Sequence, residues 1–186
     1  MSEINFSEMV ATLVKPGQDI LSSLTPKECE MLHYAIGVSG EVGELMSAVL
    51  NYQTGFHPEL DVDNCVEECS DILFFIEALL QKLDRTLPIQ QIQILDYDLL
   101  IHTAMASIYA ADLLDTVKKS VIYRKELDTE KLYSLLLALD SFIIQFCRKI
   151  GSSKEIAIQY NIEKLSKRYA GLKYSNEAAQ NRADKQ

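Results

Sequence analysis

Residues 35–49 read Ala35-Ile36-Gly37-Val38-Ser39-Gly40-Glu41-Val42-Gly43-Glu44-Leu45-Met46-Ser47-Ala48-Val49, and residues 66–76 read Val66-Glu67-Glu68-Cys69-Ser70-Asp71-Ile72-Leu73-Phe74-Phe75-Ile76. Both segments have apolar residues at helical spacing and carry a pair of acidic residues three positions apart. Side chains at i and i+3 lie on one helix face. Two such helices packed side by side would therefore aim four carboxylates at one point.

These four residues, Glu41, Glu44, Glu68 and Asp71, predict a metal site. Four carboxylates inside a helical bundle repel strongly unless a divalent cation lies among them, and hard oxygen ligands suit magnesium, with manganese as an alternative. The competing interpretation is a solvated helix face, because acidic pairs at this spacing are common on exposed helices. The apolar residues around both pairs favour the metal site, since solubilising charges seldom have such surroundings.

Composition limits the class of protein. The chain has 186 residues, 48% of them hydrophobic and 24% charged, which predicts one globular domain with a substantial core. Its formal net charge of -9 argues against a nucleic-acid binder, which needs basic side chains to neutralise phosphates. No apolar run reaches about 18 residues, and the N-terminus shows no signal peptide pattern. We therefore expect a cytoplasmic protein without a membrane partner.

The four cysteines fit a reducing compartment. Cys65 and Cys69 share a helix face, but no further Cys or His stands at the spacing of a zinc motif. A di-iron carboxylate bundle needs two Glu-x-x-His motifs. Glu30-Met31-Leu32-His33 supplies one, and neither His57 nor His102 completes a second.

Apolar periodicity and scarce Pro and Gly predict an all-α fold. Thr25-Pro26-Lys27-Glu28 combines a cap, a first-turn proline and a capping-box acid at one helix start. The predicted helices cover residues 5–14, 25–52, 63–83, 89–123, 129–150 and 153–169. Within this single domain we expect a metal-binding half at 26–83, a degenerate second half at 89–169 and a polar, loosely specified tail at 170–186.

The two halves show a faint repeat. Leu32-His33-Tyr34-Ala35 resembles Ile101-His102-Thr103-Ala104, 69 residues later. At this shift the four acidic positions of the first half fall against Tyr109, Asp112, Leu137 and Asp140. Chance is the alternative, because helical hairpins alone generate such matches. A duplication would make the fold a tandem pseudo-dimer of helical hairpins.

The motifs resemble the MazG-like all-α nucleoside triphosphate pyrophosphohydrolases, which include versions in bacteriophages. The matching segments are residues 38–45 and 66–73, the lysine-bearing stretch 114–125, and Asn161 to Tyr169 continuing to Asn181-Arg182-Ala183-Asp184. The lysine stretch departs from the pattern, because in typical members it directly continues the helix that bears the first acidic pair.

The resemblance implies a four-helix-bundle-like fold and a Mg²⁺-dependent hydrolysis of a nucleoside triphosphate to monophosphate and pyrophosphate, for control of nucleotide pools. It implies a homo-oligomer, located in the host cytoplasm if phage-encoded. Glu41, Glu44, Glu68 and Asp71 would be the catalytic metal ligands. The expected substrate-binding residues are Lys118, Lys119, Tyr123, Asn161, Lys164 and Arg168.

A non-catalytic alternative stays open. The same bundle could bind a nucleotide or a partner protein without turning it over. An intact acidic quartet argues against it, because an idle cluster of like charges destabilises the fold without any function.

Overall fold

A computed structural model describes residues 5–89 and 97–185. Within these ranges the chain is all-helical, as the periodicity predicts. Two short 3-10 turns at Ala170–Leu172 and Ala183–Lys185 flank the last helix. The α-helices are α1 Phe6–Leu13, α2 Gly17–Ser23, α3 Pro26–Gln53, α4 Val62–Leu83, α5 Leu99–Tyr123, α6 Thr129–Lys149, α7 Lys154–Arg168 and α8 Asn176–Asn181.

Side-chain caps define where the long helices begin. At α3 the Thr25 hydroxyl accepts a hydrogen bond from the Glu28 backbone N–H, and the Glu28 carboxylate accepts one from the Thr25 N–H. This is the predicted capping box, which satisfies two otherwise unpaired donors. An aspartate precedes each of α4, α5 and α6 and accepts a backbone N–H of the first turn.

Helices α3, α4, α6 and α5 form a ring in which each helix packs against two neighbours. Side-chain pairs show that neighbours run antiparallel: Lys82 lies beside Glu30 between α4 and α3, and Arg124 lies beside Glu28 between α5 and α3. α4 and α5 occupy opposite corners. The core is apolar side chains from all four helices, and the Phe75 ring occupies the space where a Cβ on Gly37 would stand.

Helix α7 adds a fifth element on the outer side of α4, antiparallel to it. Its position follows from one buried polar contact, in which Asn161 donates to the Ser70 hydroxyl. α7 thereby covers the end of the acidic motif on α4. This placement decides which residues surround the candidate site.

The structure corrects three boundaries. The predicted helix 89–123 begins at Leu99: Ile89, Tyr97 and Asp98 are not helical, and the rest of the interval lies outside the described residues. Pro16-Gly17 ends α1 as predicted but also begins the short helix α2, which we did not predict. The tail from Ala170 is not loosely specified, because it contains α8 and two 3-10 turns.

In the described part of the chain, no helix combines the length and apolar character that a bilayer crossing requires.

Candidate metal centre and adjoining cleft

The acidic motifs of α3 and α4 meet where the two helices pack. One carboxylate oxygen from each of Glu41, Glu44 and Glu68 lies within 4.8 Å of the other two. Residues 5–89 and 97–185 contain no second group of three or more potential metal ligands at this proximity. Glu68 is buried and Glu41 half-buried, whereas Glu44 faces solvent. The cluster is therefore open to a solute on one side.

The cluster is electrostatically strained. Burial raises the pKa of Glu68 to about 8, and the charge of Glu44 and a hydrogen bond with Glu41 add to the shift. Burial also raises the pKa of Glu41, together with the charges of Asp71 and Glu44. Within the described residues no basic side chain forms an ion pair with any of these three glutamates. Either a retained proton or a bound cation must offset their repulsion.

The donor set fits a hard divalent cation. Three carboxylates offer only oxygen ligands, the class that magnesium and manganese prefer. Displacing the shared proton by a cation would relieve the repulsion that raises both pKa values. The residues present are thus compatible with the predicted metal.

Asp71, the fourth member of the quartet, has a different environment. The Lys164 ammonium donates to both its oxygens at 2.6 and 2.5 Å, and the Asn161 amide donates to Oδ1 at 2.8 Å. Lys164 is 5% exposed, so this ion pair is largely desolvated. The structure therefore brings two of the predicted substrate-binding residues, Asn161 and Lys164, to the acidic site, where they bind Asp71.

Glu67 connects the site to the end of the chain. Lys185 donates to Glu67 Oε2 at 2.6 Å, and the Tyr160 hydroxyl donates to the same oxygen at 3.2 Å. Burial opposes ionisation, but the hydrogen bond from Lys185 and the charge of Lys164 outweigh it and hold the pKa of Glu67 below its usual range. Glu67 thus stays ionised beside a cluster whose members tend to be protonated.

Arg168 is the third predicted substrate-binding residue on α7. Its guanidinium forms a bidentate ion pair with Asp184, with N–O distances of 2.5 and 2.6 Å. The hydrogen bonds from Arg168 lower the pKa of Asp184 to about 2. Arg168 therefore anchors the folded tail in this structure, and its side chain is only 14% exposed.

Lys118, Lys119 and Tyr123 lie apart from the cluster within one chain. α3 and α5 are antiparallel, with Met46 beside Thr103 and Glu28 beside Arg124, so Lys118 stands roughly 14 Å along the helix axis from the level of Glu41. The Lys118 ammonium lies 6.0 Å from the centre of the Tyr123 ring, and Lys119 pairs with Asp115. Any contact of these residues with the acidic cluster would have to come from another copy of the chain.

The second-half counterparts of the quartet do not form a cluster. Asp112 accepts from Lys131 at 3.2 Å, and the buried Asp140 accepts from Lys154 at 2.5 Å. The Tyr109 ring packs against Phe142, 5.4 Å between ring centres. Each remaining acid therefore has a lysine partner.

A polar cleft of about 550 Å³ opens beside Glu44 and Glu68. The α3–α4 connection forms one wall, and Gly55, with φ of +74°, turns the chain there in a conformation that other residues rarely adopt. The cleft is large enough for a nucleoside. Its other lining residues are Ser47, Ala48, Asn51, His57, Pro58, Glu59, Leu60, Asp61 and Asn64.

Sequence analysis did not include the cleft residues in the site. Helical spacing could have identified some, because Ser47 and Asn51 follow Glu44 by three and seven positions and therefore share its face. Asn64 precedes Glu68 by four positions on α4 in the same way. His57 and Lys185 carried no such signal, because a loop and a chain end reach the site only through the tertiary fold.

The chain was also compared with known proteins. No family model matches it, and no curated protein or solved structure is significantly similar to it.

Proposed function

We propose that this protein is a magnesium-dependent nucleoside triphosphate pyrophosphohydrolase, which converts an NTP or dNTP to the monophosphate and pyrophosphate. The observation that carries the proposal is the convergence of Glu41, Glu44 and Glu68 within 4.8 Å beside a polar cleft of about 550 Å³. Three unpaired carboxylates need a cation, and a cation at that place is needed for an acidic protein to bind a triphosphate. The motif resemblance supports the same reaction.

The roles of the residues follow from their positions. Glu41, Glu44 and Glu68 would hold the magnesium, which when bound supplies positive charge for phosphate oxygens and for activating water. Asn161 and Lys164 hold Asp71 charged and oriented at the edge of the cluster. The amide and imidazole groups of Asn51, Asn64 and His57 offer hydrogen bonds to a nucleoside in the cleft.

The phosphate contacts of the proposal come from two places. Lys164 and Arg168 lie on α7 next to the cluster but already bind Asp71 and Asp184, so a phosphate would share or replace these acids. Lys118, Lys119 and Tyr123 would act from a second copy in a homo-oligomer.

We also propose that the bundle is a duplicated pair of hairpins with the architecture of the MazG-like enzymes. In the first hairpin the His33 and Phe75 rings meet edge to face at 5.7 Å, and in the second His102 and Phe142 do so at the same distance. α7 donates a lysine to each corresponding aspartate, Lys164 to Asp71 and Lys154 to Asp140. Both parallels support a common origin of the two hairpins.

The first prediction tests the reaction. The purified full-length chain, incubated with each canonical ribo- and deoxyribonucleoside triphosphate and magnesium, is expected to release the monophosphate and pyrophosphate, measured by anion-exchange chromatography. Chelation of the metal should stop the reaction. Glu44→Gln should lower kcat by at least about 100-fold, because it removes a ligand of the proposed cation.

The matched control is Glu30→Gln, which removes an exposed glutamate from the same helix and should leave turnover unchanged. Release of orthophosphate and diphosphate, or normal turnover by Glu44→Gln, contradicts the proposal. Saturable nucleotide binding without any product supports the non-catalytic alternative instead.

A further inference from the structure

Helix α1 is amphipathic but covers nothing in its own chain. Phe6, Met9, Val10 and Leu13 form one apolar stripe at positions i, i+3, i+4 and i+7, and all four are exposed. No residue of α1 is buried. The opposite face carries Ser7, Glu8, Ala11 and Thr12.

An eight-residue helix without a packing partner is not stable in water. Helix nucleation is unfavourable, and isolated helices shorter than about 12–15 residues are marginal. The cap from Asn5 supports the first turn of α1, but most helical stability in proteins comes from burial of an apolar face. The stripe on α1 therefore indicates a surface that covers it.

The bundle offers an apolar groove of matching size. The groove runs over the outer side of α4 between α3 and α7, with a volume of about 550 Å³, and includes Leu73, Phe74, Ile76, Leu80, Ile158 and Ile162. Phe74, Ile158 and Ile162 are 47%, 41% and 52% exposed. From Leu73 to Gln81 the groove follows α4 for about 12 Å, close to the roughly 10 Å between Phe6 and Leu13 on a helix.

The groove and α1 of one chain lie on different sides of the bundle. Lys15, directly after α1, donates to the carbonyl oxygen of Ile122 near the end of α5. The groove lies on α4, which is diagonally opposite α5 in the ring of four helices. One chain therefore presents both an unpartnered helix and an unpartnered groove without joining them.

We propose that the protein forms a two-fold symmetric dimer in which α1 of each copy lies in the α4–α7 groove of the other. A groove of this kind accepts a helix through apolar anchors at i, i+3, i+4 and i+7. One arm of eight residues is smaller than the about 800 Å² that each partner of a stable complex typically buries. Reciprocal exchange doubles the contact, and a two-fold axis makes both arms equivalent. This inference does not depend on the proposed enzymatic activity.

The first test measures mass in solution. Sedimentation velocity of the full chain over a concentration series should show a dimer. Met9→Asp, which places a charge in the stripe, should raise the dimer dissociation constant by about tenfold or more. Ala11→Asp places the same charge on the opposite face of α1 and should leave the dimer intact. Neither variant can disturb the core, because α1 buries no side chain.

The groove has its own matched pair. Ile158→Asp should dissociate the dimer, whereas Ile156→Asp, on the same helix but outside the groove, should not. Circular dichroism verifies that both variants keep the helical content of the parent chain. A monomeric parent chain, or equal effects of either matched pair, overturns the proposal.

Cross-linking identifies the occupant. In a Cys29→Ser background, which removes the exposed thiol, chains carrying Leu13→Cys and Ile158→Cys are mixed and oxidised. The proposal expects a disulfide between the two kinds of chain, and none when Ala11→Cys replaces Leu13→Cys. Cross-linking of Leu13→Cys chains to each other, or a disulfide within single chains that carry both substitutions, overturns it.

Discussion

Glu68 and Asp71 stand one helical turn apart and face the same site, but the fold balances their charges differently. Asp71 receives a buried ammonium from Lys164. Glu68 has only other carboxylates near it and holds its proton up to a pKa of about 8. Two acids that look equivalent in the motif therefore have opposite effects on stability.

Glu68→Gln should stabilise the metal-free protein at pH 8. Between pH 4.5 and 8 the unfolded Glu68 is ionised while the folded one keeps its proton, so the stability of the parent chain falls as pH rises through this window. Glutamine cannot ionise, so the variant should lose part of this slope and exceed the parent by roughly 1–3 kcal/mol at pH 8. Urea unfolding at pH 4 and pH 8 in the presence of chelator measures the difference.

Asp71→Asn is the contrasting variant. It leaves the Lys164 ammonium buried, with Glu67 as its remaining carboxylate at 3.5 Å. We expect a destabilisation of about 3 kcal/mol at pH 7, since removing one partner of a buried pair leaves an uncompensated charge. Equal shifts of the same sign in both variants would disprove this assignment of charges.

At the scale of elements, α7 holds the acidic site and the chain end together. Asn161 and Lys164 bind Asp71 on one side, and Arg168 binds Asp184 on the other. Asp184 is nearly fully buried within this pair. The last residues are thus built into the site rather than appended to it.

Asp184→Asn should release the tail without unfolding the bundle. Loss of the charged bidentate pair removes about 3 kcal/mol of local stability, and Lys185 then loses its fixed position near Glu67. Hydrogen exchange of amides 176–185 should accelerate by about 100-fold, while α3 and α4 keep their protection.

Glu177→Gln provides the matched control, because it removes an exposed acid from α8 itself. Its exchange rates should equal those of the parent chain. Unchanged protection of the tail in Asp184→Asn would show that the Arg168 pair does not anchor it.

At the scale of the whole molecule, the two hairpins contribute unequally. The first contains three clustered carboxylates without basic partners, and the second has an individual lysine for each of Asp112 and Asp140. Internal ammonium groups in the second hairpin provide the charge balance that a divalent cation is proposed to provide in the first.

We therefore expect one tight divalent-cation site per chain. Titration with manganese, followed by electron paramagnetic resonance of the free ion, should give one ion per chain. Glu41→Gln should abolish tight binding, because a hard cation needs several oxygen ligands. Asp112→Asn should leave the stoichiometry unchanged, and two equivalent ions per chain would contradict the asymmetry.

By itself, the amino-acid sequence was sufficient to predict an all-α chain, the capping box at Thr25 and the facing acidic pairs on α3 and α4. These features depend on local periodicity and spacing, which act within one helix. The start of α5, the short helix α2 and the order in the tail were not predicted. Isolated helices of six to eight residues have weak local preference, so tertiary contacts or partners decide whether they form.

The tertiary structure alone decided how the charges are matched. The sequence shows Lys118, Lys164 and Arg168 as equivalent candidates for phosphate binding, but the fold pairs Lys164 with Asp71 and Arg168 with Asp184 and leaves Lys118 far along α5. It also brings His57 and Lys185 to the site from a loop and a chain end. Pairings across 90 or more residues depend on how helices pack, because no local pattern encodes which distant side chain lies opposite a given carboxylate.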